Sequence, residues 1–306
     1  MNRRSLLGAL LAAAGGGGVL RSGAAYSRVP GVEQRPGPPV GPPWPVMSEH
    51  MTASADGTRI FYRRAGSGAT SVLFVHGWSC HHAFFGPQFA PVAARHTVLA
   101  LDLAGHGRSA SRRHPSMQGF ADDVRVVAAA TEGPLVLVVH STGGRVACKV
   151  AQQLDDRLVG IIGVDTFQNL GLPPPTEAQI LARLEAQRAD FVQDTRRYLS
   201  LFFKPDSDPA VVAWVEEQMT ATDPADAIAA TEVFARFDAG AAIAGWPKPV
   251  IALNSAGVPT NHDRIREVLP AFESLVIGGR GHFPQLEDPA LFNPLLLAML
   301  ARLAVP

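Results

Sequence analysis

Between residues 71 and 165 the chain spells four short runs of branched apolar residues: SVLFVHG, HTVLALDL, PLVLVVH and LVGIIGVD. A strand wetted on one side alternates apolar with polar residues. An uninterrupted run is what a strand covered on both faces requires. Parallel strands need long crossovers, and the segments between these runs carry helical spacing. These are residues 82–94, then Phe120, Val124, Val127 and Ala128, then Val146, Val150 and Leu154. The pattern predicts an α/β fold, a mostly parallel, doubly wound sheet with helices on both faces. RIFYRRAG predicts a further strand ahead of it. KPVIALNS and ESLVIGG resume the pattern late in the chain, with a helix near residues 261–269 between them. A final helix follows, in which Pro294 marks the start or a kink.

The alternation stops after Asp165, and residues 170–246 hold no strand candidate. Thr176 is a plausible N-cap with Glu177 in the first turn. DPAVVAWVEEQM and DPADAIAATEVFARF each open on Asp-Pro, suited to an N-cap and first helical position. An all-helical cap over residues 170–246 therefore interrupts a core formed by residues 47–169 and 247–306. Residues 26–46 contain VPGVEQRPGPPVGPPWPV, too rich in proline for helix or interior strand, and read as an extended linker or surface arm.

The first 25 residues open MNRRSLLGALLAAAGGGGVL and reach SGAA. A paired-arginine start, a short apolar stretch and small residues at its end make an export signal resembling the twin-arginine type. The expected destination is periplasmic or extracellular. The apolar run is short and glycine-rich, so no stable membrane span is expected once the signal is removed. Lys plus Arg equal Asp plus Glu at 27 each, with no basic stripe, which argues against a nucleic-acid partner. Cys80 and Cys148 both fall in segments that read as buried, and two free thiols are expected.

LVLVVHSTGGRVA carries the chemistry. A buried strand runs into Ser141 and then into a helix opening Thr142-Gly143-Gly144. In such a turn the serine is held strained above the sheet edge, and Gly143 lets helix and strand approach closely. A small residue is expected two positions earlier, where Val139 stands, so the turn should shift or its gap widen. A serine N-capping a helix is the plainer alternative. Three further stretches flank strand ends: FVHGWS (74–79), LDLAGHGRSA (101–110) and GGRGHFPQLEDP (278–289). With HSTGG, and in this order, they resemble the α/β-hydrolase family over about residues 48–304.

The resemblance implies roles. Ser141 would be the nucleophile and His282 the general base. Trp78 and Thr142 would lend backbone N–H groups to an oxyanion hole. The family usually carries its acid after the strand that follows the insertion, but LNSAGVPTN has no carboxylate there. The other known location, after the strand preceding the insertion, holds Asp165 in GVDTFQN; Asp263 in TNHDRIR is the second candidate. His76, His81, His82, His106 and His114 crowd the first third without zinc-ligand spacing, so no metal is expected. No dinucleotide fingerprint follows a strand, so no cofactor is expected either.

The expected function is hydrolysis of a carboxylic ester of a small apolar molecule through an acyl-enzyme. A lactonase, carbon–carbon bond hydrolase, acyltransferase or perhydrolase would use the same residues. Val139 and the vacant acid loop also fit a binding protein on a degenerate hydrolase scaffold.

Overall fold

A computed structural model describes residues 40–154 and 156–303. The export signal read over residues 1–25, and residues 26–39 of the proline-rich segment, lie outside the described residues. The apolar runs form the middle of an eight-stranded sheet of order β1-β2-β4-β3-β5-β6-β7-β8. These strands are β1 (Ser48–Ala53), β2 (Arg59–Ala65), β3 (Ser71–Val75), β4 (Thr97–Leu101), β5 (Leu135–His140), β6 (Leu158–Val164), β7 (Val250–Ser255) and β8 (Phe272–Ile277). The first two pair antiparallel, β2 pairs antiparallel with β4, and the rest of the sheet is parallel. Along β5 the side chains alternate between two clusters. Leu135, Leu137 and Val139 enter one; Val136 and Val138 enter the other. Each is essentially unexposed, which is why the run shows no polar alternation, and each burial contributes roughly 1.5–3 kcal/mol.

Crossover helices α1 (Gly86–Ala93), α2 (Met117–Ala128) and α3 (Gly143–Val150) cover the sheet, the first preceded by a 3₁₀ turn, His82–Phe85. The segment between β6 and β7 is all-helical: α4 (Glu177–Ala189), α5 (Phe191–Leu199), α6 (Pro209–Thr220), α7 (Pro224–Arg236) and α8 (Ala239–Ile243). Thr176 caps α4 in a reciprocal box with Gln179, and Asp208 and Asp223 cap α6 and α7 ahead of their first prolines. After β7 come α9 (His262–Val268), α10 (Pro284–Glu287) and α11 (Pro289–Leu303).

Three differences from the sequence reading have physical causes. Strand β1 carries SEHMTA with no residue buried, so no apolar pattern marks it; backbone pairing with β2 makes it a strand. The last helix starts at Pro289 and continues through Pro294, so Pro294 is not its start. The proline-rich segment is not only a linker, because its Trp44 docks edge-on to Phe89 with ring centroids 5.2 Å apart. A Cβ added at Gly86 would lie 2.5 Å from the Trp44 ring, so this glycine makes room for the arm. Cys80 and Cys148 are buried and unbridged. Among the described residues no helix is long and apolar enough to cross a membrane.

Candidate active site

The residues singled out by sequence come from loops at one end of the parallel strands. The backbone of these loops is strained: among the described residues the non-glycine residues with positive φ are Ser79, Ser141, Asp165 and Phe167, which follow β3, β5 and β6. Such conformations persist only where the surroundings enforce them, and they gather at functional sites.

Ser141 has φ of +52° immediately after β5. Its carbonyl accepts from the Thr166 hydroxyl at 2.8 Å and from the Gly144 N–H at 3.0 Å, which locks the turn. A Cβ on Gly143 would lie 2.6 Å from the Val75 carbonyl oxygen, so the elbow helix closes on β3 only because this residue is glycine. Val139 is fully buried with Val146, Ala147 and Val150 of α3, and the strained turn survives with valine in place.

The loop after β3 reaches the elbow, since a Cβ on Gly77 would lie 3.0 Å from that of Ser141. This brings Trp78 and Thr142 to the two sides of Ser141. Neither of their backbone N–H groups donates to an acceptor among the described residues. The Trp78 indole donates to the Ala227 carbonyl of α7 at 2.8 Å, tying the loop to the insertion.

His282 follows β8, and its Nδ1–H donates to Asp165 Oδ2 at 2.6 Å. The other Asp165 oxygen accepts from the Ser255 N–H at 2.7 Å and the Gln168 amide at 2.9 Å. Burial alone would raise the Asp165 pKa, but the bond and charge of His282 and the Ser255 N–H outweigh it and hold the carboxyl below its ordinary value. The last residue of β7, at the head of the loop without a carboxylate, thus supplies a backbone donor to Asp165. Asp263 lies in the first turn of α9, away from this pair's bonding.

The imidazole is held on several sides by residues the sequence did not point to. The His282 N–H donates to the Phe202 carbonyl at 2.8 Å, and the Phe202 ring stacks on the imidazole at 4.3 Å. His140 donates through Nε2 to the His282 carbonyl at 2.9 Å, with ring centroids 4.7 Å apart. Because His140 adjoins Ser141, this contact sets the imidazole beside the elbow. Glu287 accepts from the Gly281 and Phe283 N–H groups on either side of His282 and from the Ser207 hydroxyl of the insertion. Only GGRGHFPQLEDP, which contains Glu287, carried any signal of this. The Ser141 hydroxyl makes no hydrogen bond among the described residues, the His282 ring included.

Ligand-type atoms of His81, His82 and Asp102 lie within 4.8 Å of one another. Hydrogen bonds occupy them. His82 Nδ1 and the Arg108 N–H donate to Asp102, and His81 is engaged at both nitrogens by Gln218 and the Ala83 N–H. One free nitrogen, His82 Nε2, remains, so the group is a bonded network rather than a set of open ligands.

A dihydrolipoyllysine-residue acetyltransferase component of an acetoin cleaving system, from Cupriavidus necator, is 36% identical over 120 residues, 37% of this chain and 30% of that protein. The chain therefore spans about a third of that relative's length. A pimeloyl-[acyl-carrier protein] methyl ester esterase from Klebsiella pneumoniae is 26% identical over 256 residues, 80% of this chain and 98% of its own. In structure, a thermophilic esterase from Thermogutta terrifontis superposes with a TM-score of 0.73 at 22% identity, covering 85% of this chain and 100% of its own, a likeness of fold alone. The sequence pattern of the alpha/beta hydrolase family matches residues 72–295, and the chain belongs to that family.

Proposed function

We propose that the protein is a serine hydrolase that cleaves a carboxylic ester of a small molecule through an acyl-enzyme, with Ser141, His282 and Asp165 as its triad. The carrying observation is the 2.6 Å bond between Asp165 and His282 beside a strained Ser141. Closure of the Ser141 Oγ to His282 Nε2 contact belongs to the substrate complex, since catalytic hydrogen bonds are often long without substrate. Ser141 attacks the ester carbonyl as His282 takes its proton; Asp165 holds the tautomer and stabilises the imidazolium. The developing oxyanion meets the free N–H groups of Trp78 and Thr142, each worth on the order of 10²–10³ in rate. His282 then protonates the leaving alcohol, and water, deprotonated by His282, releases the acid and frees Ser141. Trp78, Phe202 and Tyr198 form an aromatic wall suited to an apolar moiety. The name of the Klebsiella relative, a methyl ester esterase, points the same way. With the signal read over residues 1–25, the reaction takes place outside the cytoplasm. Turnover of short-chain p-nitrophenyl esters, with labelling by a fluorophosphonate, tests the reading. Ser141→Ala should abolish labelling and lower kcat by roughly 10⁴-fold or more. Turnover undiminished in that variant overturns it.

A further inference from the structure

Arg145 lies four residues past Ser141, in the first turn of α3. A helical side chain leans toward its helix's N-terminus, which here is the elbow. The guanidinium is deeply enclosed, yet the residue keeps accessible surface. Its Nη1 donates to the carbonyls of Phe234 at 3.1 Å and Phe237 at 2.9 Å, where α7 ends. A cation suits a helix C-terminus, and this accounts for Nη1. It leaves the edge formed by Nε and Nη2, which has no acceptor among the described residues.

Three other covered arginines are neutralised. Arg112 faces Asp56 and Asp123, Arg183 faces Asp194, and Arg280 faces Asp288. Arg145 makes no ion pair within 4 Å among the described residues; the opposing charge that acts on it, Asp238, is engaged as a helix cap by the Ala241 N–H. A neutral donor would satisfy two carbonyls; an enclosed full charge with no directly bonded counter-ion is costly unless an anion arrives. Burial already pulls the guanidinium below its ordinary value.

Tyr198 of α5 carries Arg183 over its ring at 4.9 Å, feels the charge of Arg183 first and of Arg145 second, and reaches toward the reaction centre through its ring contacts. Its ring meets Trp78 edge-on at 6.0 Å and Phe202 at 4.5 Å, and Phe202 stacks on His282. Its hydroxyl has no acceptor among the described residues, and burial raises its pKa, which keeps it a donor.

We propose that the unfilled edge of Arg145, with the Tyr198 hydroxyl, binds a carboxylate carried by the substrate apart from the ester that is cleaved. The inference rests on the hydrolase reading above and names its substrate class: small esters that are also monoanions. A planar guanidinium edge pairs side-on with a planar carboxylate, and one positive charge balances one negative charge.

The test compares kcat/KM for methyl esters of monocarboxylic acids with half-methyl esters of dicarboxylic acids of equal length. Acetyl esters of 2-hydroxy acids put the carboxylate on the alcohol half instead. One anionic series should exceed its neutral counterpart by about tenfold or more in the wild type, and which one does so identifies the half. Arg145→Met should lower that anionic-to-neutral ratio by about 100-fold, through KM. Arg145→Lys, which keeps charge but loses the fork, should fall between. Taking the ratio within one variant removes any shared effect on folding. A wild-type ratio of one or less, or a ratio unmoved in Arg145→Met, overturns the proposal and leaves the hydrolase reading standing. No turnover of any ester, with Ser141 unlabelled by a fluorophosphonate, overturns both.

Discussion

Two aspartate–histidine pairs sit in the same sheet. Asp165 and His282 meet at 2.6 Å; Asp102 and His82 meet at 2.8 Å. In each, the aspartate follows a parallel strand, accepts from Nδ1 and also takes a backbone N–H. They differ in access. The side chains of His82 and Asp102 are wholly unexposed, and His82 Nε2 points into surroundings that include Phe61 and Trp44 without a partner. His282 keeps 14% of its side-chain surface and lies beside the residue preceding a strained serine. Bond length and residue type therefore do not make a catalytic dyad. The second imidazole nitrogen must have something to act upon.

The largest effect that sharpens this contrast is expected at the rim. Asp165→Asn should lower kcat by roughly 10⁴-fold, because the amide favours the wrong tautomer of His282. Loss of only a few-fold, with the protein folded, would sever Asp165 from the mechanism. In the core the consequence should be structural. Asp102→Asn strips the carboxylate from His82 and from the Arg108 N–H, and unfolding in denaturant should show a loss of about 3 kcal/mol. Its kcat per fluorophosphonate-titrated site should stay within about threefold of wild type. A thousandfold loss of kcat at unchanged stability would erase the distinction between the pairs.

A gentler probe is acid. Burial pushes His76 and His140 down to about 3 and His81 to about 4. Unfolded, each titrates near 6.5. As pH falls below that value, the unfolded chain takes up these protons first, so stability is complete above pH 6.5 and declines toward pH 4 and then 3. Each ring should contribute a slope of about 1.4 kcal/mol per pH unit in this window. Asp102 and Asp165, both held below their ordinary values, add to the same decline as pH drops through 4. Chemical denaturation at pH 7 and pH 4.5 measures it, and equal stability at the two would show that these rings are charged inside the fold.

Much of the sheet was legible because strands buried on both faces leave an uninterrupted apolar run, as PLVLVVH does. The all-helical stretch after Asp165 was legible through its Asp-Pro starts and the Thr176 cap. Strand β1 was not, because a backbone ladder at an exposed edge asks little of its side chains. At the site, the elbow and its glycines are local features and could be read directly. His140, Phe202 and Glu287 could not: each holds the His282 loop through main-chain atoms, and a main-chain partner leaves no residue-type signature. Arg145 was missed for a related reason, since what distinguishes it is that its partners are main-chain carbonyls rather than a carboxylate.

Short-range patterns by themselves determined the parallel core, the helical insertion, the strained turn at Ser141 and the candidates His282 and Asp165, because periodicity, capping and tight turns are decided over a few residues. Only the tertiary structure decided that Asp165, 117 residues from His282, is its partner rather than Asp263, that a second such pair is sealed in the core, and that the enclosed guanidinium of Arg145 bonds two carbonyls and no carboxylate among the described residues. Those outcomes depend on which distant groups share a low-dielectric space and which still meet solvent, and that is a property of packing rather than of sequence distance.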